Sequence, residues 1–282
     1  MRILALSDLH VDYPDNRAWV AGLWGAPGDI LLVAGDVSDR LERLAEVLGS
    51  LRERFDEVFF VPGNHDLWVR RSTQEDSLTK LEALLAVCAE LDVRTTPARL
   101  GEGATAVWIV PLFSWYRRPE EGADSLFLPK PGEDPSLRMW SDNLFIKWPD
   151  RAGDESLADH LLARNEPWLE RHYDAPVVSF SHFLPRQDLL FSTAAEREAL
   201  GLVTEDRLPA FNFSRVAGTS RLEAQLRRLG SVVHVHGHQH RDRYRVLDGV
   251  LYVSHCLGYP HESGRDAGKS PRPVWVDGAR SG

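Results

Sequence analysis

Five short clusters carry side chains able to coordinate a cation or move a proton: Asp8-Leu-His10, Gly35-Asp36-Val-Ser-Asp39, Gly63-Asn64-His65-Asp66, Ser181-His182 and Gly237-His238-Gln-His240. Their donors are carboxylate and amide oxygens and imidazole nitrogens, hard to intermediate ligands suited to divalent cations. Only two cysteines occur, Cys88 in an apolar helical pattern and Cys256, so a disulfide framework or a Cys-rich zinc site is not available. Any metal must therefore rest on nitrogen and oxygen. Taken singly, Asp8 or Asp36 reads equally as a turn cap, Gly63-Asn64 as a turn, and His182 as a satisfied core histidine. The argument for one site is recurrence: each cluster lies just past a predicted strand. In an open α/β sheet the carboxyl ends of the strands form one rim, where residues remote in sequence converge.

The elements that must position these clusters are legible from apolar patterning. Ile3 to Leu6, Ile30 to Val33 and Val58 to Val61 are short apolar runs that end in small or polar residues, as buried parallel strands do. Between them Leu41, Leu44, Leu48 and Leu51 recur at helical spacing, and the alternation predicts βαβ units. A helix follows over Ser77 to Leu91 and a strand over Ala106 to Val110. Further on, the pattern predicts a helix over Ser156 to Trp168, a strand over Val177 to Phe180, a helix over Ser220 to Leu229 and a strand over Val232 to Val235. A hairpin, Tyr244 to Leu247 and Val250 to Val253, turns at Asp248-Gly249. His234 and His236 alternate along their strand, opposite Val233 and Val235, and read as core or supporting histidines.

The whole chain of 282 residues is expected to form a single domain, with two irregular stretches. Residues 115–149, rich in Pro and Gly with Trp115, Phe127, Trp140, Phe145 and Trp148, form a cap-like insert. It reads either as a substrate lid or as a loop pinned by its own aromatic residues. Residues 184–218 form the second stretch, and 264–282 read as a peripheral C-terminal tail. The formal charge of −9 argues against duplex nucleic acid as partner, since that affinity comes from Lys and Arg neutralising phosphates. No run of about 18 apolar residues exists, and the N-terminus meets Asp8 and His10 too early for a signal peptide. A cytoplasmic location without membrane contact is the expectation.

In order and spelling, these motifs resemble the calcineurin-like metallophosphoesterase family, whose pattern is D-x-H, G-D-x-x-D, G-N-H-D/E, an isolated His, then G-H-x-H. The resemblance spans Asp8 to His240. It implies an α/β fold, a four-layer sandwich of two mixed β-sheets flanked by helices, with a dinuclear metal site at the strand ends. It further implies that Asp8, His10, Asp36 and His240 hold one divalent ion, that Asn64, His182 and His238 join Asp36 on the second, and that Asp36 bridges. Mn, Fe, Zn, Co and Ni all suit such a mixed donor set. Two ions about 3.5 to 4 Å apart can bind a phosphoryl oxygen, acidify a bridging water and stabilise an in-line displacement. Asp8 and Asp36 cancel two of the four positive charges, and the remainder suits a hydroxide and a phosphate ester.

By the same resemblance His65 is the catalytic histidine, protonating or stabilising the leaving oxygen. Asp39 is the preferred carboxylate to orient it, with Asp66 the runner-up and more naturally a turn anchor. The implied activity is metal-dependent hydrolysis of a small phosphodiester or phosphomonoester by a metal-bound hydroxide. Serine/threonine phosphatase activity is disfavoured, because Leu41 follows Asp39-Arg40 where Gly is usual and Asp66 replaces Glu. A nuclease, or a protein-binding scaffold of the same fold, is the alternative. Arg117, Arg118, Arg186 and Arg215 could grip a phosphate bidentately, although solvated surface arginines are the simpler reading. His160 and His172, on a polar helix, read as inert, and His255 and His261, which could border the crevice, read more simply as surface histidines.

Overall fold

The computed structural model describes residues 1–70, 73–150, 156–199, 208–262 and 269–281. Its first part runs β1 (Arg2–Leu6), α1 (Pro14–Ala21), β2 (Asp29–Ala34), α2 (Leu41–Arg52), β3 (Glu57–Val61) and α3 (Ser77–Glu90). The middle comprises β4 (Ala98–Leu100), β5 (Val107–Pro111), α4 (Asp142–Phe145), α5 (Leu157–Ala163), α6 (Glu166–Leu169), β6 (Val177–Phe180), α7 (Ala194–Ala199) and α8 (Ser220–Leu229). The chain closes with β7 (Ser231–His236), β8 (Arg243–Leu247), β9 (Val250–Ser254), β10 (Arg272–Val276) and β11 (Ala279–Arg280).

Two mixed sheets result, ordered β11-β10-β1-β2-β3 and β4-β5-β6-β7-β9-β8. β1, β2 and β3 are mutually parallel, as are β5, β6, β7 and β9, so the motif-bearing strand ends share one rim. Ile3, Leu32, Phe59, Val178, Val233 and Val235 pack between the sheets. Leu44, Leu48 and Leu51 of α2 with Leu84 and Cys88 of α3 cover the outside of the first sheet. Leu222, Leu226 and Leu229 of α8 cover the second, against Val110, Val177 and Tyr252. Burying apolar surface on both faces of each sheet is the driving force for this four-layer stack.

Three sequence expectations change. The helix expected over Ser156 to Trp168 is two short helices, α5 and α6, because Pro167 lacks the N–H that would continue the first and instead starts the second. The buried Asn165 at the break bonds the backbone N–H and carbonyl of Phe113, and donates to Gln225. The stretch 264–282 is not peripheral where it is described: β10 pairs antiparallel with β1, and Val274 and Trp275 are buried between the sheets. Burial on one face of a strand needs only two or three large side chains, too few to show as periodicity in a polar segment. Residues 264–268 and 282 of that stretch lie outside the described residues, as do 200–207 of the second irregular stretch. Finally, β4, an edge strand, was not foreseen.

The insert 115–149 is irregular apart from α4 and is fastened to residues 208–216. Lys130 Nζ donates to the carbonyls of Leu208 and Phe211, and Trp140 stacks on Phe211 at 5.5 Å. Arg215, 6% exposed, pairs with Glu121 and Glu133 of the insert, each at 2.7 Å. No helix among the described residues is long and apolar enough to cross a membrane.

Candidate metal centre

All five motif clusters meet at the rim. Nine described non-glycine residues have positive φ, and five of them are the metal-ligand candidates Asp8, His10, Asp36, His238 and His240. Left-handed backbone costs a residue with a Cβ energy, and its concentration here marks loops whose side chains are turned toward one point at the expense of local comfort. The glycines serve the same convergence. A Cβ on Gly63 would lie 2.2 Å from Asp36 Oδ1 and 2.7 Å from His182, and one on Gly35 would lie 2.5 Å from His182 Nδ1.

One group of donors is formed by Asp8, His10, Asp36 and His240, whose ligand atoms all lie within 4.8 Å of one another. His10 Nε2 and His240 Nε2 are 2.9 Å apart, and His240 Nε2 is 3.4 Å from Asp8 Oδ1. His240 Nδ1 donates to Glu262 at 2.8 Å, which fixes the ring and aims Nε2 inward. A second group surrounds the other side of Asp36. His182 Nδ1 lies 2.8 Å from the Ala34 carbonyl and His238 Nε2 lies 2.9 Å from that of Val216. A carbonyl only accepts, so each neutral ring spends its one N–H outward and turns a bare nitrogen inward. Those bare nitrogens, His182 Nε2 and His238 Nδ1, are 3.2 Å apart. Asn64 Oδ1 is 3.2 Å and Asp36 Oδ2 3.5 Å from the former. The lone pairs of His182, His238 and Asn64 thus converge beside the Asp36 carboxyl, a donor set that a cation satisfies.

Electrostatics agree. Burial, with nearby imidazoles, holds His10, His65 and His238 well below the usual imidazole range, and burial lowers His182 too. Burial, then the neighbouring Asp66 and Asp8 carboxylates, pushes Asp36 well above the carboxylate range. Burial opposes ionisation of His240, yet Asp8 and Glu262 carry it up to about 10. A proton on His240 thus brings positive charge among the first group of donors.

His65 lies at the mouth of this cluster, its backbone N–H donating to Asp36 Oδ1 at 2.9 Å and its Nε2 3.9 Å from Asp36 Oδ2. The expectation that Asp39 orients it fails. The Asp39 carboxylate takes the guanidinium of Arg70, and its carbonyl takes Lys80 Nζ. Asp66 anchors the turns instead, accepting from the backbone N–H groups of Gly63, Asp36, Val37 and Ser38. Four N–H donors crowd that carboxylate into the turn, leaving it no reach to His65. The His65 ring is held by Trp68, stacked at 3.6 Å, and by the Tyr259 hydroxyl, 3.3 Å from Nε2.

Several residues at this site carry no motif. Asp142 of α4, buried, accepts from Asn64 Nδ2 at 2.9 Å, Trp68 Nε1 at 2.6 Å and the Tyr116 hydroxyl at 3.2 Å. The first of these bonds decides which end of the Asn64 amide faces His182. Burial raises Asp142 to about 6. Trp140 packs edge-on against His238 at 5.8 Å. The insert is thus both aromatic-pinned and part of the site. Asp142, Trp68, Tyr116, Tyr259 and Glu262 had no signal in spacing or spelling that would have singled them out. His234, bonded by Ser179 and Ser181, and His236 are buried behind the site. The four candidate arginines are each in side-chain contacts: Arg117 with Asp159, Arg118 with Asn143, Arg186 with Asp188 and Asp248, and Arg215 as above.

The sequence pattern of the calcineurin-like phosphoesterase family matches residues 1–242. The chain is 29% identical over 278 residues to the acyl-carrier-protein phosphodiesterase PptH of Mycobacterium tuberculosis, covering 92% of this chain and 78% of that protein. It superimposes on a crystal structure of the phosphopantetheinyl hydrolase PptH from the same organism with a TM-score of 0.74, at 27% identity, covering 98% of this chain and 96% of that one.

Proposed function

The chain belongs to the calcineurin-like phosphoesterase family and is a phosphoric ester hydrolase, and on that premise we propose that it cleaves a phosphodiester, of the class that joins a phosphopantetheine-type arm to a carrier protein. The observation that carries the catalytic reading is Asp36, flanked on one side by Asp8, His10 and His240 and on the other by Asn64, His182 and His238. In this reading those seven residues hold two divalent cations, with Asp36 shared. When bound, the cations would supply electrophilic activation of the phosphoryl oxygens and lower the pKa of water at the site.

The chain's own residues do the rest. Asp142 fixes the Asn64 amide, Glu262 fixes His240, and the carbonyls of Ala34 and Val216 fix His182 and His238. Preorganised donors of this kind cost no rearrangement during the reaction. His65 Nε2, at the mouth and outside both donor groups, donates a hydrogen bond to the departing alcohol oxygen from a ring that burial keeps neutral. Support for the diester class is the similarity to PptH, which extends through the insert and the C-terminal strands. The engaged arginines around the insert offer no basic track for a nucleic acid.

The test is metal analysis together with hydrolysis of model monoesters, model diesters and a phosphopantetheinylated carrier protein, the last followed by loss of the arm's mass. Asp36→Asn should lose metal and activity together. His65→Ala should keep its metals and slow most on poor leaving groups. Equal activity in both variants and wild type would defeat the mechanism. Turnover of monoesters alone would defeat the diester assignment.

A further inference from the structure

Beyond β9 the chain crosses the mouth of the site as a strap, residues 255–262, outside the residues matched by the family pattern. It is tied to the metal-ligand loops at several points. Ser7 N donates to the His255 carbonyl, Leu257 N to that of Ser7 and Gly258 N to that of Asp8, at 2.9 to 3.0 Å. At the far end the Tyr259 backbone N–H donates to Glu262 Oε2 at 2.7 Å, and that carboxylate accepts from His240 Nδ1. The Tyr259 backbone is therefore tied through Glu262 to the ligand candidate His240.

The Tyr259 ring is half-buried against two ligand imidazoles, with centroids 4.5 Å from His10 and 4.7 Å from His240. That packing needs only the ring. The hydroxyl has a different environment: its described hydrogen-bond neighbour is His65 Nε2 at 3.3 Å. A hydroxyl oxygen has one donor and two acceptor positions, so one described neighbour leaves hydrogen-bonding capacity beside His65 Nε2. An oxygen placed about 2.8 Å from each of these two groups closes a triangle on their 3.3 Å separation, within normal hydrogen-bond range for both.

We propose that Tyr259 is a further catalytic residue, its hydroxyl donating a hydrogen bond to the same departing oxygen that His65 serves. This rests on the role given to His65 above. The bond that breaks is the P–O bond to the alcohol, and the bond that forms joins phosphorus to the oxygen of a water. The departing oxygen accepts hydrogen bonds from His65 Nε2 and Tyr259 and takes its proton from solvent, the attacking water surrenders one proton to solvent, and His65 ends the step as it began. Tyr259 keeps its own proton throughout and acts only by stabilising charge on the departing oxygen. A donor of this kind contributes most where the leaving oxygen carries most charge, that is, for alkyl esters of poorly acidic alcohols.

The test uses the full chain, metal-loaded, as wild type, Tyr259→Phe, His65→Ala and the double variant. Phe keeps the ring against His10 and His240, so metal content should match wild type. Tyr259→Phe should lower kcat for an alkyl diester about 10- to 100-fold with little change in KM, and for a nitrophenyl diester by less than about threefold. The double variant should be within about threefold of His65→Ala, since both groups act on one oxygen. Apart from turnover, calorimetry should find orthovanadate bound about tenfold more weakly by Tyr259→Phe. Equal losses on both esters, depleted metal, or unchanged vanadate affinity would each overturn the assignment. If wild type turns over no diester, the substrate reading fails, while the vanadate comparison still decides the role of Tyr259.

Discussion

Asp142 offers the most discriminating perturbation of this site, because it touches no cation in the proposed arrangement yet governs one ligand. Its carboxylate accepts from three buried donors, Asn64 Nδ2, Trp68 Nε1 and the Tyr116 hydroxyl. Asp142→Ala leaves all three bare, at about 1 to 3 kcal/mol for each that no water reaches. It also frees the Asn64 amide to turn over. A flipped amide would present N–H to the bare Nε2 of His182, 3.2 Å away, and fill with a hydrogen bond the place a cation would take. Loss of such an orienting partner weakens metal binding about 10- to 100-fold, or about 1.4 to 2.7 kcal/mol. Asp142→Asn separates acceptor geometry from charge. Its amide oxygen can still accept from Asn64 and Trp68, while its NH2 faces a Tyr116 hydroxyl that already accepts from Trp140 and Arg118. Its metal affinity should stay within about threefold of wild type. Chelator competition with metal quantification, beside a melting curve, reads both effects. Wild-type affinity in Asp142→Ala, or equal loss in both variants, would refute the argument that Asp142 works by fixing the amide.

Three further expectations follow from the same contacts. Gly63→Ala drives its Cβ to 2.2 Å from Asp36 Oδ1, so metal binding should weaken at least about tenfold while far-UV circular dichroism stays native; tight binding by this variant would contradict the proposed sharing of Asp36. His240 carries its proton up to about 10 despite burial, because Asp8 and Glu262 face it, so below that pH a bound cation must expel the proton. Apparent metal affinity should then rise about tenfold per pH unit across neutrality, with about one proton released per cation at the first group of donors. Calorimetry in buffers of different ionisation enthalpy counts that proton. Arg215→Met removes the nearly buried cation that fastens Glu121 and Glu133 of the insert, and should cost about 3 kcal/mol and lower Tm by about 5 to 10 °C. An unchanged melting temperature would mean that Lys130 and the aromatic contacts hold the insert without Arg215.

The sequence by itself determined β1 to β3 and β5 to β9, the seven candidate donor residues and their common position at the strand ends. Each of those features is local. Apolar runs such as Ile30 to Val33 read as buried strands without reference to any partner, and the hairpin turn at Asp248-Gly249 has the positive φ at both positions that its residue types favour. Motif spelling carried the rest, because left-handed loops packed around a donor cluster tolerate few residue types. The tertiary structure alone decided which groups support the donors. Asp142 reaches Asn64 across 78 residues, and Tyr259 reaches His65 across 194. Nothing in the spacing of either segment anticipates the other. Asp39 lost its expected role for the same reason, since the path of the loop sent Arg70 and Lys80 to it, while Asp66 kept the turn-anchoring role through four backbone N–H groups. Periodicity reports whether a segment buries a face, and a polar side chain bonds whatever the folded chain brings within about 3 Å. The first is written in neighbouring residues, while the second exists only once the two sheets have packed.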